Sequence, residues 1–121
     1  QIIYLTQAET RRLEALKKRY RDKARARFES RVAYYHKITG GRYTSVTVRD
    51  QKTRWGSCSS RGTLSFNYRL IFAPPEILDY VVVHELAHRM EMNHSDKFWK
   101  IVENVLPDYR ERRKWLKECR L

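Results

Sequence analysis

A chain of 121 residues with 41% hydrophobic content has room for one globular domain with a modest core. No apolar run approaches the length of a membrane-spanning helix, and no membrane partner is expected. With 26 basic against 14 acidic residues the net charge is +12, a field that attracts nucleic acid, nucleotides or acidic polypeptides.

The excess charge sits mostly in two places: residues 9–31 hold ten Lys or Arg against four acids, and residues 107–121 hold six against three. The two cysteines, Cys58 and Cys119, form neither a C-x-x-C pair nor a disulfide framework, so a reducing, cytoplasmic setting is expected. Cys58 reads as a small buried thiol.

Thr6-Gln7-Ala8-Glu9 has the form of a capping box opening a long helix, predicted to run to about Tyr35. Leu13, Leu16, Tyr20, Ala24, Phe28 and Val32 recur at three- and four-residue steps, so one stripe should pack on the domain while Arg and Lys point outward. Thr39-Gly40-Gly41 breaks the helix. His36, near its end, reads as structural. Residues 45–49 and 63–67 alternate apolar and polar, as strands do, with Val46 and Val48 inward. Between them lie Arg54-Trp55-Gly56-Ser57-Cys58 and the polar turn of residues 59–62. Two or three antiparallel strands are predicted, with Gly56 letting the backbone bend or approach another element closely. Trp55 is expected in the core. The strand at 63–67 is expected to hold an extended peptide by edge pairing.

Pro74 and Pro75 precede the apolar run of residues 77–83, and proline suits a first helical turn. The helix they open carries His84-Glu85-Leu86-Ala87-His88. In H-E-x-x-H the two histidines are four residues apart, one above the other on one helical face, and can point two imidazoles at one ion. Glu85 is placed to act as general base. His94 offers a third ligand if the chain bends, with Asn93 as the residue to take a left-handed conformation. Metzincins space a third His in this way but have Gly where this chain has Glu91. The rival third ligands are Glu91, Glu103, Asp108 and Glu111. Ser95 reads as the cap of a helix over residues 95–105, with Phe98, Trp99, Val102 and Leu106 as its apolar stripe. A short basic helix over residues 109–119 follows, anchored by Trp115 and Leu116. The fold class is therefore α+β: a long N-terminal helix, a small antiparallel sheet, a metal-binding helix and two C-terminal helices.

Zinc held by three neutral imidazoles keeps its double charge and lowers the pKa of a water to about 7. Such a site suits peptide-bond hydrolysis. Arg54, Tyr68, Arg69 and Tyr80 are candidates for substrate or transition-state contacts. Two alternatives stay open: a metal-dependent phosphoanhydride hydrolase acting on nucleotides, and a nucleic-acid-associated protease module.

Arg54-Trp55-Gly56-Ser57-Cys58, Leu64-Ser65-Phe66-Asn67, His84-Glu85-Leu86-Ala87-His88 and Asn93-His94-Ser95-Asp96-Lys97-Phe98-Trp99 occur in this order. That combination resembles the YgjP-like metallopeptidase domain family and, more distantly, SprT-like proteases, over residues 45–115. The resemblance implies a minimal zincin with a small antiparallel sheet over the metal-binding helix. It implies zinc on His84, His88 and His94, a catalytic Glu85 and a polypeptide substrate. The chain lacks the Cys-rich zinc ribbon that SprT-like proteases often carry. YgjP-like proteins usually carry an additional strand-rich N-terminal region, whereas this chain opens at Gln1 and passes almost at once into a charged helix. A single domain over residues 1–121, a fragment lacking an N-terminal region, is expected.

Overall fold

The computed structural model describes residues 4–118. Its elements are α1 (Gln7–Thr39), β1 (Ser45–Arg49), β2 (Gly56–Cys58), β3 (Thr63–Asn67), a 3₁₀ turn (Tyr68–Phe72), α2 (Pro75–Ala87), α3 (Asp96–Val105) and α4 (Tyr109–Glu118). The α+β class and the element order follow the sequence reading. Cys119 lies outside the described residues. No helix among them is long and apolar enough to cross a membrane.

The expected capping box forms. The Glu9 N–H donates to Thr6 Oγ1 at 3.1 Å, and the Thr6 N–H donates to Glu9 Oε1 at 3.2 Å. The helix runs four residues past the expected end at Tyr35 and stops at Gly40, whose φ of +75° suits only glycine comfortably. The apolar stripe packs from Tyr20 onward. Ala24, Phe28 and Val32 are fully buried, whereas Leu13 and Leu16 are 40% and 43% exposed. Phe28 stacks on Phe66 of the sheet at 4.5 Å between centroids. Arg31 grips Asp79 of α2 with two hydrogen bonds of 2.8 Å, and the Tyr35 hydroxyl donates to the same carboxylate at 3.0 Å. A bidentate pair of this kind is the strong form of ion pair, and it clamps α1 to α2.

The sheet differs from expectation. Its strand order is β1-β3-β2, with β2 and β3 antiparallel but β1 and β3 parallel. A tight turn joins β2 to β3, with Gly62 at φ +95°. β3 then returns between its two predecessors and so runs alongside β1 in the same direction. The loop that crosses the end of β3 is held there by Asn67, whose side-chain amide donates to the carbonyls of Gln51 at 2.6 Å and Arg54 at 3.1 Å. Because β3 is central, it has no free edge. The expectation that residues 63–67 pair with a peptide is therefore corrected: the free edge on the α2 side is that of β2.

α2 is the centre of the molecule. Nine of its thirteen residues are buried, from Ile77 to Ala87, so it is apolar nearly all round, as a helix enclosed by protein must be. α1, the sheet, α3 and α4 all pack on it.

Candidate metal centre

α2 ends where the metal motif ends. His84 lies in its last turn, Glu85 is buried, and His88 is the C-cap with φ −65° and ψ −17°. The chain then turns through hydrogen bonds from the Arg89 N–H to Leu86 and from the Met90 and Glu91 N–H groups to Ala87. No non-glycine residue among those described has positive φ, so the left-handed Asn93 is corrected. The early end of α2 makes the bend instead. Arg89 holds the turn against the sheet side, donating to the carbonyls of Arg42, Ser59 and Ser60. Ser95 caps α3 by accepting from the Phe98 N–H at 3.4 Å, and His94 sits immediately before that cap.

This path returns His94 to the α2 face. The ligand atoms of His84, His88 and His94 all lie within 4.8 Å of one another. An ion bonded to three nitrogens in tetrahedral geometry needs separations of roughly 3.3 Å, which small side-chain rotations supply. Phe98, fully buried, forms the floor: its ring lies 4.4 Å from His88 and 5.0 Å from each of His84 and His94. His88 Nδ1 is 3.2 Å from the Glu91 carbonyl. In the tautomer that donates there, Nε2 is left free to bind metal, the usual way a backbone carbonyl orients a metal-ligating His. Burial, then the neighbouring His84 and His88, lower the pKa of His94. For His94 this favours neutral imidazole, the form that ligates.

The rival third ligands do not converge here. Glu91 offers its backbone carbonyl to His88, Asp108 pairs with Arg112 at 3.0 Å, and neither Glu103 nor Glu111 belongs to the cluster. Cys58 lies on the rim of the groove but outside the cluster, and burial pushes its thiol pKa up.

Glu85 Oε2 is 3.2 Å from His84 Nδ1. Its other neighbour is Gly56 of β2, where an added Cβ would come 3.0 Å from that oxygen and 3.0 Å from Val81 Cγ1. Two hollows meet at His84 and Glu85. One is a groove of about 290 Å³ along β2, bordered by Arg54, Cys58 and Met92. The other is a cleft of about 280 Å³ walled by Trp55, Tyr80, Val81 and Leu116, with Arg113 and Lys117 also in its lining. Trp55 thus packs against the core, as expected, and also lines the site. Burial pushes the Tyr80 hydroxyl pKa up to about 12, so it remains a proton donor. Tyr68 is buried and Arg69 pairs with Asp50 at 3.4 Å; neither lines these two hollows.

A model of the YgjP-like metallopeptidase domain matches residues 2–119. The chain belongs to the YgjP-like family. Its fold is shared by crystal structures of two metallopeptidase zymogens. Abylysin of Pyrococcus abyssi has 27% identity and a TM-score of 0.66, covering 75% of this chain and 94% of that one. Jannalysin of Methanocaldococcus jannaschii has 20% identity and the same TM-score and coverage, a likeness of fold. No individual curated sequence matches the chain. The YgjP-like domain is thus a hydrolase of the metallopeptidase class, with three histidines positioned to bind a metal cofactor.

Three parts of this YgjP-like site escaped sequence reasoning: the Arg89 clamp, the Asn67 anchor, and the arrival of Arg113 and Lys117 at the cleft. The R-W-G-S-C segment pointed to the groove but not to the contact between Gly56 and Glu85.

Proposed function

We propose that this YgjP-like domain is a zinc peptidase, with His84, His88 and His94 as ligands and Glu85 as general base. One observation carries the reading: the imidazoles of His84 and His88 at the end of α2 and of His94 on the following turn converge beside the buried carboxylate of Glu85, next to the edge strand β2. Three nitrogen donors without a thiolate suit zinc. When bound, the ion supplies a double positive charge that acidifies a water and polarises the scissile carbonyl.

The protein's own groups do the rest. Extended substrate pairs with β2, whose outer edge has no strand partner among the described residues. Glu85 Oε2 takes the proton of the attacking water and passes it to the leaving amine nitrogen. Gly56 and Val81 leave that carboxylate little room, so it is aimed before substrate arrives. The donor to the developing oxyanion is drawn from Tyr80 and Arg54, which line the hollows that contain His84. A polypeptide is the substrate.

The test compares wild type with Glu85→Gln. Wild type should bind one zinc and hydrolyse casein in a chelator-sensitive manner. Glu85→Gln should keep the zinc and lose hydrolysis. Full activity in that variant rejects Glu85 as the base. Phosphate release from nucleoside triphosphates in place of peptide hydrolysis transfers the site to phosphoanhydrides.

A further inference from the structure

The cleft on the α4 side of the metal centre has features that peptide-bond cleavage does not itself require. Its walls are largely apolar, and its lining includes Glu85 and His84 together with Arg113 and Lys117, which are four residues apart and therefore on one face of α4. Neither cation forms an ion pair among the described residues, although on the same helix Arg112 pairs with Asp108 and Lys114 with Glu118. Arg113 is not free to wander. Its guanidinium lies 4.9 Å from the centre of the Trp99 ring, and Trp99 in turn stacks on the buried Tyr109 at 5.3 Å. Arg113 and Lys117 also wall a second hollow of about 420 Å³, which adds Arg110 and Lys114. A positive ridge therefore runs from the metal centre along α4.

We propose that this ridge reads carboxylates on the substrate: the cleft beside Glu85 takes an acidic side chain, and further acidic residues lie along Arg110 and Lys114. The proposal rests on the peptidase reading and names its substrate class. The geometry explains the choice. A glutamate has an apolar stem for the walls of Trp55, Val81 and Leu116 and an anionic tip for Arg113 and Lys117. The like charge of Glu85 favours a pose in which that tip lies on the two cations. A basic side chain in the same cleft meets two cations and is rejected, so the site selects by repulsion as well as attraction. A nucleic acid fits less well, because the ridge has only four cations on one short helix and leads into a largely apolar cleft.

The experiment uses the zinc-loaded protein and matched fluorogenic peptides that differ only in residues flanking the scissile bond: Glu, Gln or Lys, in one series for each flank. On one flank, Glu should exceed Gln in kcat/KM by about tenfold, mostly through KM, with Lys below both. The ratio should fall toward one in Arg113→Gln/Lys117→Gln and invert in Arg113→Glu/Lys117→Glu. A second readout does not need turnover. Zinc-loaded Glu85→Gln should bind a labelled Glu peptide more tightly than the Gln peptide by a similar factor in fluorescence anisotropy. Discrimination in binding without cleavage of any peptide sustains carboxylate recognition and rejects the peptidase reading. Equal binding of the Glu and Gln peptides overturns the proposal whatever the activity. So does single-stranded DNA of equal charge that binds more tightly than the Glu peptide and is released by Arg113→Glu/Lys117→Glu.

Discussion

Gly56→Ala tests how the general base is held. The added methyl would lie 3.0 Å from Glu85 Oε2, 3.2 Å from Glu85 Cγ and 3.0 Å from Val81 Cγ1. Ordinary carbon contacts lie near 3.5–4.0 Å, so something must yield by about half an ångström. Val81 is buried in the core and stands on the most enclosed helix. The Glu85 carboxylate faces a hollow and is the far end of a flexible side chain, so it moves. Displacing a catalytic group by a fraction of an ångström to 1 Å costs about 10- to 100-fold in rate, or roughly 1.4–2.7 kcal/mol of barrier. Overpacking adds a stability cost of about 1 kcal/mol, at the low end of the usual range. The expected result is a kcat lower by 10- to 100-fold, a nearly unchanged KM and an unchanged metal content. Val81→Ala in the same protein gives the methyl room on the helix side and should restore part of the rate. Peptidase assays with metal analysis on the four proteins of this cycle decide the matter. A Gly56→Ala protein with wild-type kcat would refute the idea that this close approach aims Glu85.

His94→Ala should weaken zinc binding by orders of magnitude while leaving two ligands on α2, which competition against a chromophoric chelator measures. Asp79→Ala leaves Arg31 and Tyr35 without their shared acceptor and should cost about 2 kcal/mol in urea unfolding, reduced from the fully buried range because Arg31 is partly solvated. Loss of metal in that variant would contradict its assignment to the α1–α2 clamp. Alkaline pH should destabilise the fold. Tyr80 has a folded pKa of about 12 against an ordinary value of 10.0, and burial also raises Tyr35. Their contribution is complete below pH 10 and is lost as pH rises through the folded values. Tyr80→Phe should flatten that decline in unfolding midpoints measured from pH 9 to pH 11.5.

What was legible in the chain was local. A capping box, a proline at the start of a helix and two histidines one turn apart are all properties of neighbouring residues, and each appears where the spacing put it. The sheet was not legible in full, because its parallel pair depends on β3 entering between two earlier strands. Alternation in residues 45–49 and 63–67 fixes which side chains face inward but not which strand lies in the middle. The α1 stripe misled for a related reason. Its period continues through Leu13 and Leu16, but periodicity alone does not tell which part of a stripe meets a partner, and these two are exposed. His94 was expected as a third ligand, and it does reach the cluster, but not through a left-handed Asn93. The bend comes from ending α2 at His88 and tying Arg89 to three carbonyls, a device that needs partners from residues 42–60.

The placement of the metal motif on α2 also accounts for its surroundings. The proposed general base and the two proposed ligands on α2 must stay fixed relative to one another, and the most enclosed helix is the most rigid support available. The penalty is that polar groups stand at the end of an apolar rod. The fold offsets it in two ways. Phe98 closes one side of the three imidazoles and keeps water from that direction, so each charge interaction there acts in a lower dielectric than solvent. The other side stays open to the two hollows, where substrate arrives. Phe98→Ala should therefore do more than create a cavity. Beyond about 3 kcal/mol or more of lost stability, it wets the inner face of the site and should weaken zinc binding, although no ligand is removed. Phe98→Leu removes less volume, keeps the floor apolar and should retain most of the affinity. Equal zinc affinity in the Ala and Leu variants, measured below their unfolding temperatures, would show that the floor serves packing alone.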